Sequence, residues 1–343
     1  MMAAKKKSTK TEKKSLEQTL TELRKEYGKE PFSDSSTTKG YGRTSSGIIS
    51  VDRALGGVKE KGLAKGRLVE MFGPESCGKT SMAMQLGAQE QKAGGIVCYI
   101  DAEIAFDYDH AKNVGLQTTG DKFVLVQPRW AEEALEICRS MLDVEGIGLI
   151  IIDSVPALCP KAIGEGLVGD AHMGIQARMM SQFCTMIKQK LETSHCSVIF
   201  INQTRMKIGV VYGNPETTPG GNALKFYSSV RMRIKHTGWL GDKSAPIGMS
   251  AEMHVIKNKT GKPFRRAQYN LMFNGGFSKE ADLRVNAVEL GIIEQSGSWF
   301  SYTNPGKDII KLGQGSDAVD EILGSNPELF KEIWDRVLTA LDD

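Results

Sequence analysis

The chain reads as an α/β protein built on a central, mostly parallel, twisted sheet flanked by helices. Three observations predict this. From about Gly47 to Gly276 apolar strands alternate with helical stretches, the pattern of parallel strands joined by helical crossovers. Gly73-Pro74-Glu75-Ser76-Cys77-Gly78-Lys79-Thr80 is a complete G-x-x-x-x-G-K-[ST] phosphate loop, with a β-prone run at 67–72 before it and helix formers at 81–90 after it. No segment of the chain repeats, which argues against a tandem duplicated ATPase.

Taken in order, residues 1–14 carry six lysines against Glu12, or +5 in a chain whose total is +3, leaving about −2 for the remainder. With no apolar run, this segment is expected to be a basic, disordered head and not a secretion signal. Residues 15–46 form the next unit. Leu16, Leu20 and Leu23 stand at helical spacing behind a Ser15 N-cap, and Pro31 to Ser46, rich in Ser, Thr and Gly, reads as a linker. A short amphipathic helix of this kind needs a core or a neighbouring copy to pack on.

The core, 47–276, carries strands at 68–72, 96–101, 123–127, 148–153, 197–202, 230–236 and 253–257, with helices at 131–142 and 172–192. Residues 277–343 form a small C-terminal domain that ends in a helix from Pro327 to Leu341; Trp299 and Phe300 are expected to fill its core.

With 343 residues, 40% hydrophobic and 25% charged, the chain suits one large soluble domain with smaller appendages. Its apolar runs, such as Ile147 to Ile152, are too short to span a bilayer, and a cytoplasmic location is expected. The six cysteines (77, 98, 138, 159, 184 and 196) have no C-x-x-C spacing, so neither a zinc ribbon nor a disulfide frame is indicated. They read as small core residues in a reducing compartment, except Cys77 in the phosphate loop, which is expected to be alkylatable when nucleotide is absent.

The phosphate loop sets the chemistry. Backbone amides and the positive end of the following helix converge on one anionic spot, Lys79 reaches the β- and γ-phosphates, and Thr80 ligates Mg²⁺. The run Gly148-Leu-Ile-Ile-Ile-Asp153 ends in a carboxylate placed to stand near Mg²⁺ and Thr80. A second strand ends in Asp101-Ala102-Glu103, and Glu103 there could orient and deprotonate the attacking water; its position fits a capping or solvated acid equally well. A third ends at Gln203, an amide able to bond a γ-phosphate oxygen and lose that bond on hydrolysis. The glycine- and proline-punctuated stretch at 204–221 that follows is long for a structureless loop and therefore expected to be functional.

The phosphate loop GPESCGKT, DAE at 101–103, DSVPAL at 153–158, GDAHMG at 169–174, ARMMSQ at 177–182, the long run at 201–231 and VIKNK at 255–259 together resemble the RecA family of bacterial or phage-encoded homologous-recombination ATPases. The resemblance is nearly continuous over 47–275 and weaker beyond. It implies a RecA-type P-loop ATPase core, an N-terminal helical arm that docks on the adjacent protomer, and a small α+β C-terminal domain. It implies ATP and Mg²⁺ as cofactors, single-stranded and homologous duplex DNA as partners, and a helical filament of identical copies that exchanges strands.

Carried onto this chain, the resemblance makes Glu103 the catalytic glutamate and Gln203 the sensor linking γ-phosphate to DNA. Lys257 and Lys259 become the pair that enters the neighbouring subunit's ATP site. Asp107 and His110 fall at the adenine, although a stacking tyrosine is usual where His110 stands. Loops 162–173 and 204–218 become the DNA-binding loops, with Met173, Ser181, Arg205, Met206, Lys207, Ile208, Val210, Gly220, Gly221 and Asn222 toward the strand. Ile208 would be the wedge between base triplets, and Lys225 and Phe226 interface residues. Thr185 replaces a backbone-contacting arginine, His236 and Glu252 replace basic residues near the duplex-binding surface, and the chain stops at Asp342-Asp343 without a long acidic tail. Rival readings are another ATPase of the superfamily, a DNA-coating polymer in which ATP only switches assembly, and, remotely, a small-molecule kinase.

Overall fold

The computed structural model describes residues 15–27, 42–56, 62–167, 174–206, 209, 213, 215–304 and 309–342. The basic head, residues 28–30, residues 31–41 of the expected linker, His172, Met173, Lys207, Ile208 and Val210 lie outside the described residues. Two compact units emerge, 1–41 and 42–343. In the first, helix α1 (Leu16–Tyr27) begins with a reciprocal capping box. The Gln18 N–H donates to Ser15 Oγ at 3.2 Å and the Ser15 N–H to Gln18 Oε1 at 3.1 Å.

The second unit opens with β1 (Arg43–Thr44), α2 (Ile49–Leu55) and β2 (Leu63–Ala64), β1 pairing antiparallel with β2. Here the linker reading fails at its end. Thr44 and Ser46 are buried, and the Asp52 carboxylate accepts from the Ser46 N–H at 2.6 Å, so residues 42–46 belong to the folded body. Ser and Gly at these positions serve tight local bonding rather than a free tether.

Then come β3 (Leu68–Gly73), α3 (Lys79–Lys92), β4 (Ile96–Asp101), α4 (Tyr108–Val114), β5 (Phe123–Val126), α5 (Ala131–Met141) and β6 (Ile147–Asp153). After β6 follow α6 (Lys161–Gly164), α7 (Ile175–Thr193), β7 (Ser197–Gln203), the short strands β8 (Arg205–Met206) and β9 (Glu216–Thr217), and α8 (Ala223–Tyr227). Three long strands, β10 (Val230–Asp242), β11 (Ala245–Asn258) and β12 (Arg266–Met272), and the short β13 (Gly276–Phe277) complete the sheet.

Its nine strands run β13-β12-β11-β10-β3-β7-β6-β4-β5, parallel from β10 to β5 and antiparallel from β10 to β13. Strands buried on both faces need no polar alternation, which explains the unbroken run in β6. Leu149 and Ile151 pack in the cluster that contains Met82 and Leu86 of α3, while Ile150 and Ile152 join Leu135 of α5 and Ile187 of α7.

The expected strands 230–236 and 253–257 extend to 230–242 and 245–258, and β12 was not anticipated. These strands form an antiparallel sheet extension with one solvated face, so polar residues such as Lys235 and Glu252 alternate through them and hide the strand signal.

The C-terminal elements are α9 (Lys279–Glu289), a three-stranded sheet of β14 (Ile293–Ser296), β15 (Trp299–Thr303) and β16 (Ile309–Gln314), then α10 (Ser316–Ser325) and α11 (Pro327–Asp342). Their core includes Leu283, Tyr302, Leu312 and Ile333 and also takes Ile49 of α2. Asp282 accepts from the Ile49 and Ser50 amides at 2.6 and 3.2 Å, tying this region to the start of α2. Phe300 is buried here, but Trp299 is 56% exposed and does not fill the core as expected. Neighbours on a strand face opposite sides, so only one of the pair can point inward.

One buried charge pins the sheet. Glu70 on β3 is inaccessible to solvent, receives Arg231 Nε at 2.5 Å and Asn202 Nδ2 at 2.9 Å, and so joins β3 to both neighbours. Arg231→Met would strand that carboxylate and is expected to cost about 3–5 kcal/mol of stability. Chemical denaturation checks this, and an unchanged midpoint would contradict a charged Glu70.

Candidate nucleotide and DNA site

Register brings the polar strand ends together. Gly73 of β3 pairs with Gln203 of β7, and Asp101 of β4 with Asp153 of β6, so all four stand at one edge, where the parallel strands finish. Ligands bind beyond this edge in doubly wound sheets.

The phosphate loop leaves β3 there and enters α3. A Cβ on Gly73 would sit 2.1 Å from the Ile234 carbonyl oxygen, so only glycine lets β10 approach; Gly78, the residue before α3, has φ +86°. The Lys79 ammonium folds back onto the Pro74 carbonyl at 2.5 Å. Cys77 does not behave as expected. It is buried at 1% exposure, its sulfur lies 3.4 Å from the Ile234 carbonyl, and burial raises its thiol above the ordinary range, so it is shielded from alkylation.

Thr80 Oγ1 donates to Asp153 Oδ2 at 2.8 Å, bringing together the two residues expected at the metal. The same oxygen accepts the buried Tyr99 hydroxyl at 2.7 Å, a partner the sequence reading did not single out. Burial raises the Asp153 carboxyl, and the bonds from Tyr99 and Thr80 oppose that rise. Among the described residues no group of three or more His, Cys, Asp or Glu side chains could hold a metal. A cation beside Thr80 and Asp153 would therefore draw its other ligands from phosphate and water, as Mg²⁺ commonly does.

The two acids that follow β4 take different work. Asp101 is buried and accepts from the Ala105 and Phe106 amides, both at 3.0 Å, shaping the turn. Glu103 is exposed, caps no helix, and accepts the Ser154 hydroxyl beside Asp153. Its carboxylate is solvent-accessible and bonded to the residue after Asp153, a place that fits a water-activating or a solvated acid.

Asp107 caps α4 by accepting the His110 amide at 2.9 Å, and His110 Nε2 lies 2.8 Å from Ser81 Oγ. His110 and residues 76–81 line a recess of about 330 Å³ whose far wall is Trp239, Met249, Leu271 and Phe273. Three of those come from the antiparallel strands and Phe273 from the turn after β12, all more than 150 residues beyond the loop, and no local pattern could have placed them.

At the same edge the second expected DNA loop is not wholly loop, since β8 pairs antiparallel with β9 and closes its base. Arg205 and Met206 stand exposed on β8. Gly220 and Gly221, with φ +82° and +75°, press against Val155 and Ala177, within about 3 Å of where side chains would begin. Ser181 on α7 and Asn222 ahead of α8 are exposed close by in the chain path. In the first loop, 161–164 form the single turn α6.

Lys225 Nζ donates to Thr217 Oγ1 at 3.0 Å, holding the return strand of the second loop, and Phe226 is 70% exposed. Lys257 and Lys259 are not brought to the phosphate loop. Lys257 stands opposite Arg231 and, through it, Glu70, three residues before Gly73, hence about 10 Å down the sheet and about 10 Å across it. Its ammonium donates to the Lys225 and Phe226 carbonyls at 2.7 and 2.9 Å. Burial, then Lys259 and Arg231, hold that ammonium below the usual lysine range.

Residues 14–278 match the model of the RecA N-terminal domain and residues 283–342 that of the RecA C-terminal domain. Protein RecA of Cereibacter sphaeroides is 42% identical over 327 residues, which cover 94% of this chain and 92% of the relative. Protein RecA of Rhodopirellula baltica is 44% identical over 296 residues, covering 86% and 76%. Protein RecA of Rickettsia bellii is 46% identical over 289 residues, covering 84% and 81%.

Proposed function

The chain belongs to the RecA family and is a RecA-type DNA recombinase and DNA-dependent ATPase of recombination and repair; on that footing we propose that its ATP site is completed only by a second copy in a helical filament on single-stranded DNA. One observation carries this reading. The phosphate loop lies at one edge of the sheet and Lys257 with Lys259 near the other, out of reach of their own loop. A head-to-tail stack sets the second edge of one copy against the first edge of the next, and such a contact grows into an open helix when its rotation does not close into a ring.

In that seam the loop amides and Lys79 would bind the β- and γ-phosphates of ATP, and Thr80 and Asp153, already bonded to each other, would hold Mg²⁺. When bound, the ion neutralises charge across those phosphates. Glu103 orients the water and takes its proton, and the neighbour's Lys257 and Lys259 neutralise charge on the transferred group. His110 meets the base within the recess walled by Trp239 and Phe273, and Asp107 adds a polar contact.

Gln203 bonds the γ-phosphate and passes its occupancy to the 204–218 segment. That segment then grips the strand through Arg205, Met206, Lys207, Ile208 and Val210, together with Met173, Ser181, Gly220, Gly221 and Asn222. Glycine amides approach phosphates closely and an aliphatic wedge parts bases without reading them, so homology with a duplex is tested by base pairing alone. The Lys225 and Phe226 surface meets the neighbouring copy, and the Lys257 bonds to their carbonyls couple the seam to the loop's return strand.

Electron microscopy of the protein with a slowly hydrolysed ATP analogue and single-stranded DNA tests this. Regular helical filaments, with DNA-stimulated phosphate release when ATP replaces the analogue in the same preparation, are expected. Dispersed protomers at every nucleotide level would overturn it.

A further inference from the structure

Near the foot of the sheet, where β3 begins, lies a recess of about 200 Å³ lined by Arg67, Leu68, Cys184, Lys188, Tyr227 and Lys259, among others. Among the described residues no carboxylate lines it. Arg67 Nε is buried with no hydrogen-bond partner among the described residues. Lys188 and Lys259 are exposed at the rim, and neither has an ion pair among the described residues. Burying a guanidinium nitrogen without a partner is costly, and three cations around one small recess repel one another. A protein tolerates this most readily where an anion supplies the missing charge and acceptors.

We propose that this recess is an anion site for a small, doubly charged oxyanion of the phosphate class, separate from the phosphate loop. Size and chemistry both select it. The volume falls below the roughly 300 Å³ at which pockets begin to hold nucleoside-sized ligands. Arg67 presents parallel donors suited to an oxyanion, and the two lysines add mobile positive charge above it. Among the described lining residues no carboxylate offers a cation its counter-charge, while three cationic side chains favour an anion over a neutral ligand. Because the recess shares Lys259 with the proposed seam, occupancy would place negative charge beside the group that meets the neighbour's nucleotide.

Equilibrium binding of labelled inorganic phosphate to the full-length chain, dilute and without DNA so that filaments do not form, tests the site. Two classes of site are expected. One is lost in Lys79→Ala and kept in Arg67→Met, as the phosphate loop requires. The other is kept in Lys79→Ala and weakened at least about tenfold in Arg67→Met, and similarly in the surface variant Lys188→Met, the loss of one charge-assisted contact. A short single-stranded oligonucleotide should not displace this second class. The proposal is overturned if Arg67→Met and Lys188→Met leave phosphate binding unchanged, if Lys79→Ala removes all of it, or if the oligonucleotide competes it away. Binding that appears only in filaments would also overturn it, by assigning the recess to the neighbour's nucleotide.

Discussion

Replacing Lys79 with alanine is expected to abolish ATP hydrolysis and strand exchange together. The ammonium now rests on the Pro74 carbonyl, 2.5 Å away and at the base of the same loop, so a short swing carries it to a phosphate. Removing one preorganised donor from a developing phosphoryl charge typically costs about 10²–10³-fold, and Lys79 also anchors the ground state, so the loss should be larger. The sheet beneath is set by Val69, Met71 and the Glu70–Arg231 pair, whereas the bonds of Lys79 run to its own loop, at Pro74 and Cys77. The variant should therefore fold, with an unfolding midpoint close to the parent's. Steady-state phosphate release measured with saturating single-stranded DNA checks the claim, and turnover at the parent rate would refute the assigned phosphate loop.

The second large effect is expected at Glu103. Glutamine keeps the shape and can still accept the Ser154 hydroxyl, but it cannot take a proton from water. Glu103→Gln should lower turnover about 10²–10⁴-fold while leaving nucleotide binding and filament assembly intact. Two other outcomes carry meaning. Parent-like turnover would reduce Glu103 to an anchor for Ser154, and loss of ATP binding would make it a structural residue. Asp101 gives the contrast. It is buried and bonded to the turn amides of Ala105 and Phe106, so its replacement should act through stability.

Much of the nucleotide half of the site was legible because it rests on local spacing. A strand, a glycine loop, a helix and three later strands ending in Asp101, Asp153 and Gln203 follow one after another, and parallel register then carries them to one edge, with Glu103 just beyond it. Partners set by tertiary packing were not legible. Tyr99 reads as one more apolar strand residue, yet its hydroxyl meets Asp153. Trp239 lies on an antiparallel strand whose alternating polar residues disguise it, Phe273 in the turn after β12, and both reach the loop only through folding. Cys77 was misread for a related reason, because its loop position suggests exposure while the approach of Ile234 buries it. Arg43 and Thr44 were taken for linker because a two-residue strand leaves no periodic signal.

The account turns on whether one copy finishes the catalytic site of another, and mixing two inactive variants measures this most directly. Lys257→Ala keeps an intact phosphate loop but breaks the lysine pair offered to its neighbour, whereas Glu103→Gln keeps the pair but cannot activate water. Random co-assembly at equal amounts makes about a quarter of the seams complete, so DNA-stimulated phosphate release should return to about a quarter of the parent rate. Release that stays at the level of the separate variants at every mixing ratio, in filaments shown to contain both, would contradict a shared site.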